Sequence, residues 1–318
     1  MTTGDRRALI AQAVRQALVW PLLVHDLGAR AQATRLEPVT LSVVGPGHLL
    51  LLPITLAADQ AEGLKFQINY VGGGPMAYRD MLIGNADFGA AGMPALAGQP
   101  VVAVLPVTHV PAYTLVVGSQ LRGKVIGVKG YVPGGRASSQ VMAEYVLRRA
   151  GVDPGRANFV AVSLSYENQH AALVSGTVDA LMGDEPFASR MVQVHAAHVL
   201  EDYHDLAATR RRFGGLFLNG VVACKEELIT RRPDLVEKLV ASLRRALQWI
   251  DTHSAQEIVA QMAPATEIER SSLLQVLKIR KNSYLREGRF SQEQLDTVQG
   301  RAFRVRDMIN TTWAGRMP

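Results

Sequence analysis

The chain has 318 residues, 48% apolar and 19% charged, which suffices for one large folded core or two of ordinary domain size. No stretch approaches the roughly 20 consecutive apolar residues of a membrane-spanning helix, and no charge block or low-complexity tract points to disorder. The formal charge of +6 is scattered, with Arg210-Arg211-Arg212 its longest basic run, so the clustered stripe of a nucleic-acid binder is missing; the charge suits a small anionic ligand or serves solubility alone.

Residues 1–33 differ from the rest. Arg6-Arg7 stands before Ala8-Leu9-Ile10, a moderately apolar run follows, and Ala29-Arg30-Ala31-Gln32-Ala33 offers two small-x-small cleavage sites. The pattern is that of a twin-arginine export signal; because Arg15, His25 and Asp26 interrupt the apolar run, an amphipathic first helix is the competing reading.

From Val39 onward strand-like and helix-like segments alternate. Val39–Val44 reads as a strand closed by Gly45-Pro46-Gly47, and Leu49–Ala61 as a helix with Pro53 in its first turn. Phe66–Val71 is a second strand, followed by Gly72-Gly73-Gly74 and a helix over Pro75–Ile83 that stops at Gly84. Such alternation with short loops predicts an α/β protein with parallel strands covered by helices.

The plan repeats. Gly84-Asn85-Ala86-Asp87 precedes Pro94 as Gly176-Thr177-Val178-Asp179 precedes Pro186, the proline coming ten residues after the first glycine in both, and each copy follows an amphipathic helix. Each half also has a glycine-rich loop opening a helix, Gly72-Gly73-Gly74-Pro75 and Gly134-Gly135-Arg136-Ala137-Ser138-Ser139. Two α/β lobes then place two sets of strand ends and two glycine loops around one cleft. Unpaired N–H groups at such helix starts favour a ligand with oxygen acceptors; tight turns alone are the alternative explanation of the glycines.

In this order, "GGGP", "LIGNADFGAAG", "LRGKVIGVKG", "ALVSGTVDALMGDEPFASR" and "RRPDLVEKLVASLRRALQWID" resemble the solute-binding proteins of bacterial ABC importers, in particular the branch for sulfonates, taurine, nitrate and thiamine-precursor pyrimidines. The resemblance implies a two-lobed type II periplasmic-binding-protein fold, a clamshell with two hinge crossings. Lobe 1 would comprise 36–115 plus 218–318 and lobe 2 would comprise 120–213, with crossings near Tyr113–Val117 and Leu216–Val222. Ligand contacts carried over residue by residue fall on Gly47 and His48, on Gly73, Gly74, Pro75 and Met76, and on Gly92 and Met93. In the second lobe they fall on Arg136, Ala137, Ser138 and Ser139, on Tyr166, and on Asp184-Glu185. Arg136 is the candidate charge partner of an anion, or a solvated loop arginine, and Glu185 contacts ligand or caps its own helix at Ser189. Where many relatives carry Trp before Glu-Pro, this chain has Gly183-Asp184, which removes a stacking surface and weakens the pyrimidine reading.

The implied partners are a small-molecule solute and an ABC importer permease. No cofactor, metal, nucleic acid or membrane span is expected, and the protein is expected to be monomeric. Enzymes on this fold form the second reading and ligand-sensing domains the third. No nucleophile elbow, His-Glu-x-x-His helix or Walker loop appears, and the single cysteine, Cys224, reads as a small buried residue of a strand. His195 and His198, three apart on an expected helix, are either a polar helix face or the start of a metal site.

Overall fold

The protein's computed structural model describes residues 36–298 apart from 46–48, 50–51, 59–62, 97–99, 112, 119–124, 130–136, 263 and 265. The export-signal reading of residues 1–33, and the candidates Gly47, His48 and Arg136, lie outside the described residues.

In chain order the elements are β1 (Glu37–Val44), α1 (Leu52–Ala58), β2 (Leu64–Val71), α2 (Gly74–Leu82), β3 (Phe88–Gly92), β4 (Val102–Pro106), β5 (Thr114–Gly118), β6 (Val125–Lys129), α3 (Ser138–Arg149), β7 (Asn158–Val162), α4 (Tyr166–Val174), β8 (Ala180–Gly183) and α5 (Phe187–Gln193). Then follow β9 (Ala197–Asp202), α6 (Leu206–Phe213), β10 (Gly220–Cys224), α7 (Glu226–Arg231), α8 (Pro233–Thr252), α9 (Ala255–Met262), α10 (Glu267–Arg280) and α11 (Gln292–Val298).

The strands sort into two five-stranded sheets, β2-β1-β3-β10-β4 and β7-β6-β8-β5-β9. Position by position the two orders correspond. The third strand of each runs parallel to its neighbour, β3 beside β1 and β8 beside β6. The fourth, β10 or β5, is antiparallel to both of its neighbours. It is the strand by which the chain arrives from the other sheet.

The internal repeat has a structural basis. Gly84 and Gly176 hold φ of 84° and 76°, the left-handed conformation that ends α2 and α4. Three residues on, Asp87 N–H donates to the Thr40 carbonyl while Asp87 Oδ2 accepts from Thr40 N–H (2.9 and 2.8 Å). Asp179 does the same to Val125, its N–H donating to the carbonyl and its Oδ2 accepting from the N–H (both 2.9 Å). Each aspartate thereby sets the register of a central strand against the strand beside it.

Two sequence expectations are corrected. The first crossing lies earlier than Tyr113–Val117: the chain leaves the first sheet at Pro106, and Thr114 is already paired with Gly183 and Asp202, so Thr114 and Leu115 belong to the second sheet. His195 and His198 do not share a helix, because α5 ends at Gln193, His195 turns the chain at φ 55° and His198 stands in β9.

One apolar core fills the first sheet against α1, α8, α9 and α10; on α8, Leu235, Val236, Leu239, Val240, Leu243, Ala246, Leu247 and Ile250 are buried at helical spacing. A second core joins the two sheets, with Tyr78, Ala91 and Met93 meeting Tyr113, Met142, Phe213 and Phe217. The seam between the sheets is therefore lined by apolar side chains, with Tyr78 and Tyr113 among them.

Candidate functional site

Strand ends β3, β6 and β8 open toward the starts of helices, as the parallel arrangement requires. The twelve-residue α3 begins beyond β6 with Ala137 as its extended N-cap, which offers no side-chain oxygen to the first-turn amides. Gly92, the last residue of β3 in the other sheet, faces this helix start. A Cβ built on Gly92 would lie 3.3 Å from Ser138 Oγ and 3.6 Å from Asn219 Oδ1, so only the bare backbone lets the three meet without displacement. Gly220 pairs with Gly92, and Met93 N–H donates to the Asn219 carbonyl, which places Asn219 at the return crossing.

Orphaned polar groups gather here. Among the described residues, Ser138 Oγ, both ends of the Asn219 carboxamide and the Tyr78 hydroxyl are buried without a hydrogen-bond partner. Asn219 and Tyr78 are fully buried. The Tyr113 hydroxyl lies beside Ser138, but short of the geometry of a full hydrogen bond. Each buried group left unsatisfied costs about 1–3 kcal/mol, so such a set is expensive to keep unless something binds to it.

Charge is present next to this set, already paired. Lys129 at the end of β6 forms an ion pair with Asp184 just past β8, both side chains nearly inaccessible, and its Nζ lies 5.8 Å from the centre of the Tyr113 ring. Burial draws the Lys129 ammonium below the ordinary lysine range, and the Asp184 carboxylate in contact with it opposes that shift. Ser139 Oγ accepts from Lys129 N–H (2.9 Å) and donates to the Lys129 carbonyl (3.1 Å), so its hydroxyl fastens α3 to β6.

Glu185 is equally committed. Its Oε2 accepts from Ser189 N–H (3.1 Å), the helix cap expected as an alternative to ligand contact, while Oε1 accepts from the Thr114 hydroxyl (3.3 Å) and pairs with Arg280 of α10 (3.1 Å). Arg280 also reaches Asp202 (2.6 Å), which accepts from His204 N–H (2.9 Å). Burial alone would raise the Asp202 pKa; hydrogen bonds from His204 and Arg280 outweigh it and hold the carboxyl well below the usual range. Leu49, Thr108, Glu185, His204, Arg280 and Tyr284 border a cavity of about 30 Å³, room for little more than a water molecule.

Gly73 is the N-cap of α2 with φ 175°, extended backbone open to any residue, and its carbonyl accepts from Met76 and Ala77 N–H. None of Gly72, Gly73 and Gly74 lies in the left-handed region that favours glycine. Gly73 and Gly74 are buried, Pro75 half-buried and Met76 exposed, and the helix they open brings Tyr78 to the seam. Ala137 is buried and Ser138 is brought to Gly92, with Met93 just past the end of the same strand. Tyr166 turns to other partners, His170, Phe187 and Arg190.

Sequence reasoning missed Asn219, Tyr78, Tyr113, Lys129 and Arg280. For Asn219 a signal existed, a lone carboxamide inside the apolar run "LFLNGVVAC". Cys224 is fully buried in β10, and burial pushes its thiol up to about 12, the opposite of an activated nucleophile. No group of three metal-ligating side chains occurs among the described residues, and no described helix is long and apolar enough to cross a membrane.

Residues 128–264 match the model of the NMT1-like family. The structure superposes on a Bordetella bronchiseptica protein with a TM-score of 0.76 at 20% identity, covering 87% of this chain and 96% of that one. On the alkanesulfonate-binding protein SsuA of Xanthomonas axonopodis pv. citri bound to MOPS the TM-score is 0.65 at 20% identity, covering 89% and 99%. Its fold is that of the periplasmic binding proteins. Among sequence relatives, Bacillus subtilis (strain 168) YtlA, a binding protein by name, is 24% identical over 255 residues, 74% of this chain and 73% of that one. The seam of Gly92, Ser138 and Asn219 lies between the two sheets of this fold, at the start of α3. The corresponding order of the two sheets, with one crossing strand in each, is the framework that brings them together.

Proposed function

We propose that this protein is an extracytoplasmic receptor that captures a small anionic solute between its two sheets and delivers it to an ABC importer. The observation that carries the reading is the buried, unpartnered pair of Ser138 Oγ and the Asn219 carboxamide at the uncapped start of α3, with the unpartnered Tyr78 hydroxyl in the core that joins the sheets. Hydroxyl and carboxamide donors beside unpaired first-turn amides and a positive helix end match the oxygens of a sulfonate-, taurine- or nitrate-like ligand. Each sheet is the centre of one lobe, 36–115 plus 218–318 and 120–213 apart from the start of β5. Only the closed form lets both lobes touch the solute, so binding shifts the hinge equilibrium toward closure. The receptor acts as a monomer and needs no cofactor.

Thermal-shift titration of the mature chain with taurine, methanesulfonate, nitrate and MOPS tests this; a solute at 100 times its dissociation constant adds about 2.7 kcal/mol of stability. Asn219→Ala separates binding from folding. It deletes an amide that has no partner in the unliganded protein, so the unliganded melting temperature is expected to hold or rise, while affinity for the stabilising solute falls at least tenfold, about 1.4 kcal/mol. Unchanged affinity in that variant overturns the site.

Delivery to an importer requires export, and we propose that residues 1–33 are a twin-arginine signal. Replacing Arg6 and Arg7 by lysine is expected to leave the precursor in the cytoplasm with its N-terminus intact. Normal processing of that variant overturns the signal.

A further inference from the structure

Tyr166, Phe187 and Arg190 line a cavity of about 430 Å³ between the starts of α4 and α5 and the first two turns of α10, within the range of sites for small organic ligands. The Arg190 guanidinium lies over Tyr166, its central carbon 3.7 Å from the ring centroid, and Phe187 meets the same ring edge-on at 5.9 Å. Arg190 Nε is buried without a hydrogen-bond partner, and among the described residues Arg190 makes no ion pair. A guanidinium held by stacking keeps its donor edge free for a planar or tetrahedral anion. Leu164 and Pro186 add an apolar wall. Glu167 and Glu269 also line the cavity, and their charge opposes a ligand carrying more than one negative charge.

We infer that this cavity is a second binding site, distinct from the Gly92–Ser138–Asn219 seam, for a monoanion with an apolar body: a carboxylate or sulfonate gripped by the free edge of Arg190, with its hydrocarbon part against Phe187, Leu164 and Pro186. The inference does not depend on the receptor reading above.

Benzoate and benzenesulfonate are the probes, with inorganic sulfate as the comparison, measured by calorimetric titration of the mature chain. Both aryl anions are expected to bind, and sulfate at least tenfold more weakly. Arg190→Gln is expected to weaken benzoate at least tenfold, Arg190→Lys less, since it keeps the charge without the fork. On the unsubstituted protein, benzoate is expected to protect Arg190 from phenylglyoxal, a readout that needs no variant to fold. Absence of benzoate binding, equal binding by Arg190→Gln, or labelling of Arg190 undiminished by benzoate overturns the inference. Benzoate binding lost in Asn219→Ala but kept in Arg190→Gln also overturns it, by placing the probe in the seam. Failure of taurine, methanesulfonate and nitrate to stabilise the chain would count against the receptor reading and leave this site standing.

Discussion

Arg280→Ala is expected to destabilise the fold by about 3–5 kcal/mol at neutral pH, because it removes the cation from a buried carboxylate. The Glu185 side chain is 2% exposed, and after the substitution only the Thr114 hydroxyl and the Ser189 N–H would remain to it. Asp202 loses its 2.6 Å contact at the same time, and α10 loses its tie to the second sheet. The loss depends on pH with a defined sign. The folded-state pKa of Asp202 is depressed, so the stability it contributes is present above the carboxylate's unfolded pKa of roughly 4 and disappears as pH falls through the folded value. The difference between the two proteins is therefore expected to be largest near pH 7 and to narrow below about pH 4. Guanidinium unfolding at both pH values measures it. A difference under about 1 kcal/mol at pH 7 would mean that solvent or rearrangement replaces Arg280, and the ion pair would not be what holds α10 to the second sheet.

Gly92→Leu is expected to lower solute affinity at least a hundredfold, about 2.7 kcal/mol, while the protein still folds. The backbone does not forbid it, since Gly92 is a strand residue without positive φ and its ladder to β10 uses main-chain groups alone. The side chain has nowhere to go. Its first atom already reaches 3.3 Å from Ser138 Oγ and 3.4 Å from Ser138 Cβ, so the remaining carbons can be accommodated only if α3 moves away and the sheets part at this seam. Solution scattering is expected to report a more open variant that no longer contracts on addition of the stabilising solute, with Gly92→Ala intermediate. The unliganded melting temperature should stay within a few degrees, the shift of about 1 kcal/mol in a chain of this size. Undiminished affinity in Gly92→Leu would place the ligand elsewhere and remove the basis of the receptor reading.

Much of the framework was legible because it is local. The left-handed glycines 84 and 176 end their helices for reasons contained in a few residues, and Pro53 sits in the first turn of α1, where its missing N–H is harmless. The matched spacing of Asp87 and Asp179 disclosed two copies of one plan, though not that each aspartate locks the strand beside it. The helix starting at Gly74 was readable as well. Its triple glycine adopts no left-handed backbone, and the helix it opens carries Tyr78 to the seam.

What the amino-acid sequence determined by itself, then, is the alternation of strands and helices, their ends, the α/β class and the duplication. These depend on backbone preferences, apolar periodicity and turn chemistry, which act over a few residues. Only the tertiary structure decided that Ser139 hydrogen-bonds Lys129, that Glu185 meets Ser189, Thr114 and Arg280, and that Tyr166 faces Arg190. It alone brought Asn219, Ser138 and Gly92 into one place. A seryl hydroxyl reads the same in sequence whether it ties down a strand end or waits unpaired. Its role is set by which distant segment folding brings within about 3 Å, and that distance follows from the packing of two sheets, not from spacing along the chain.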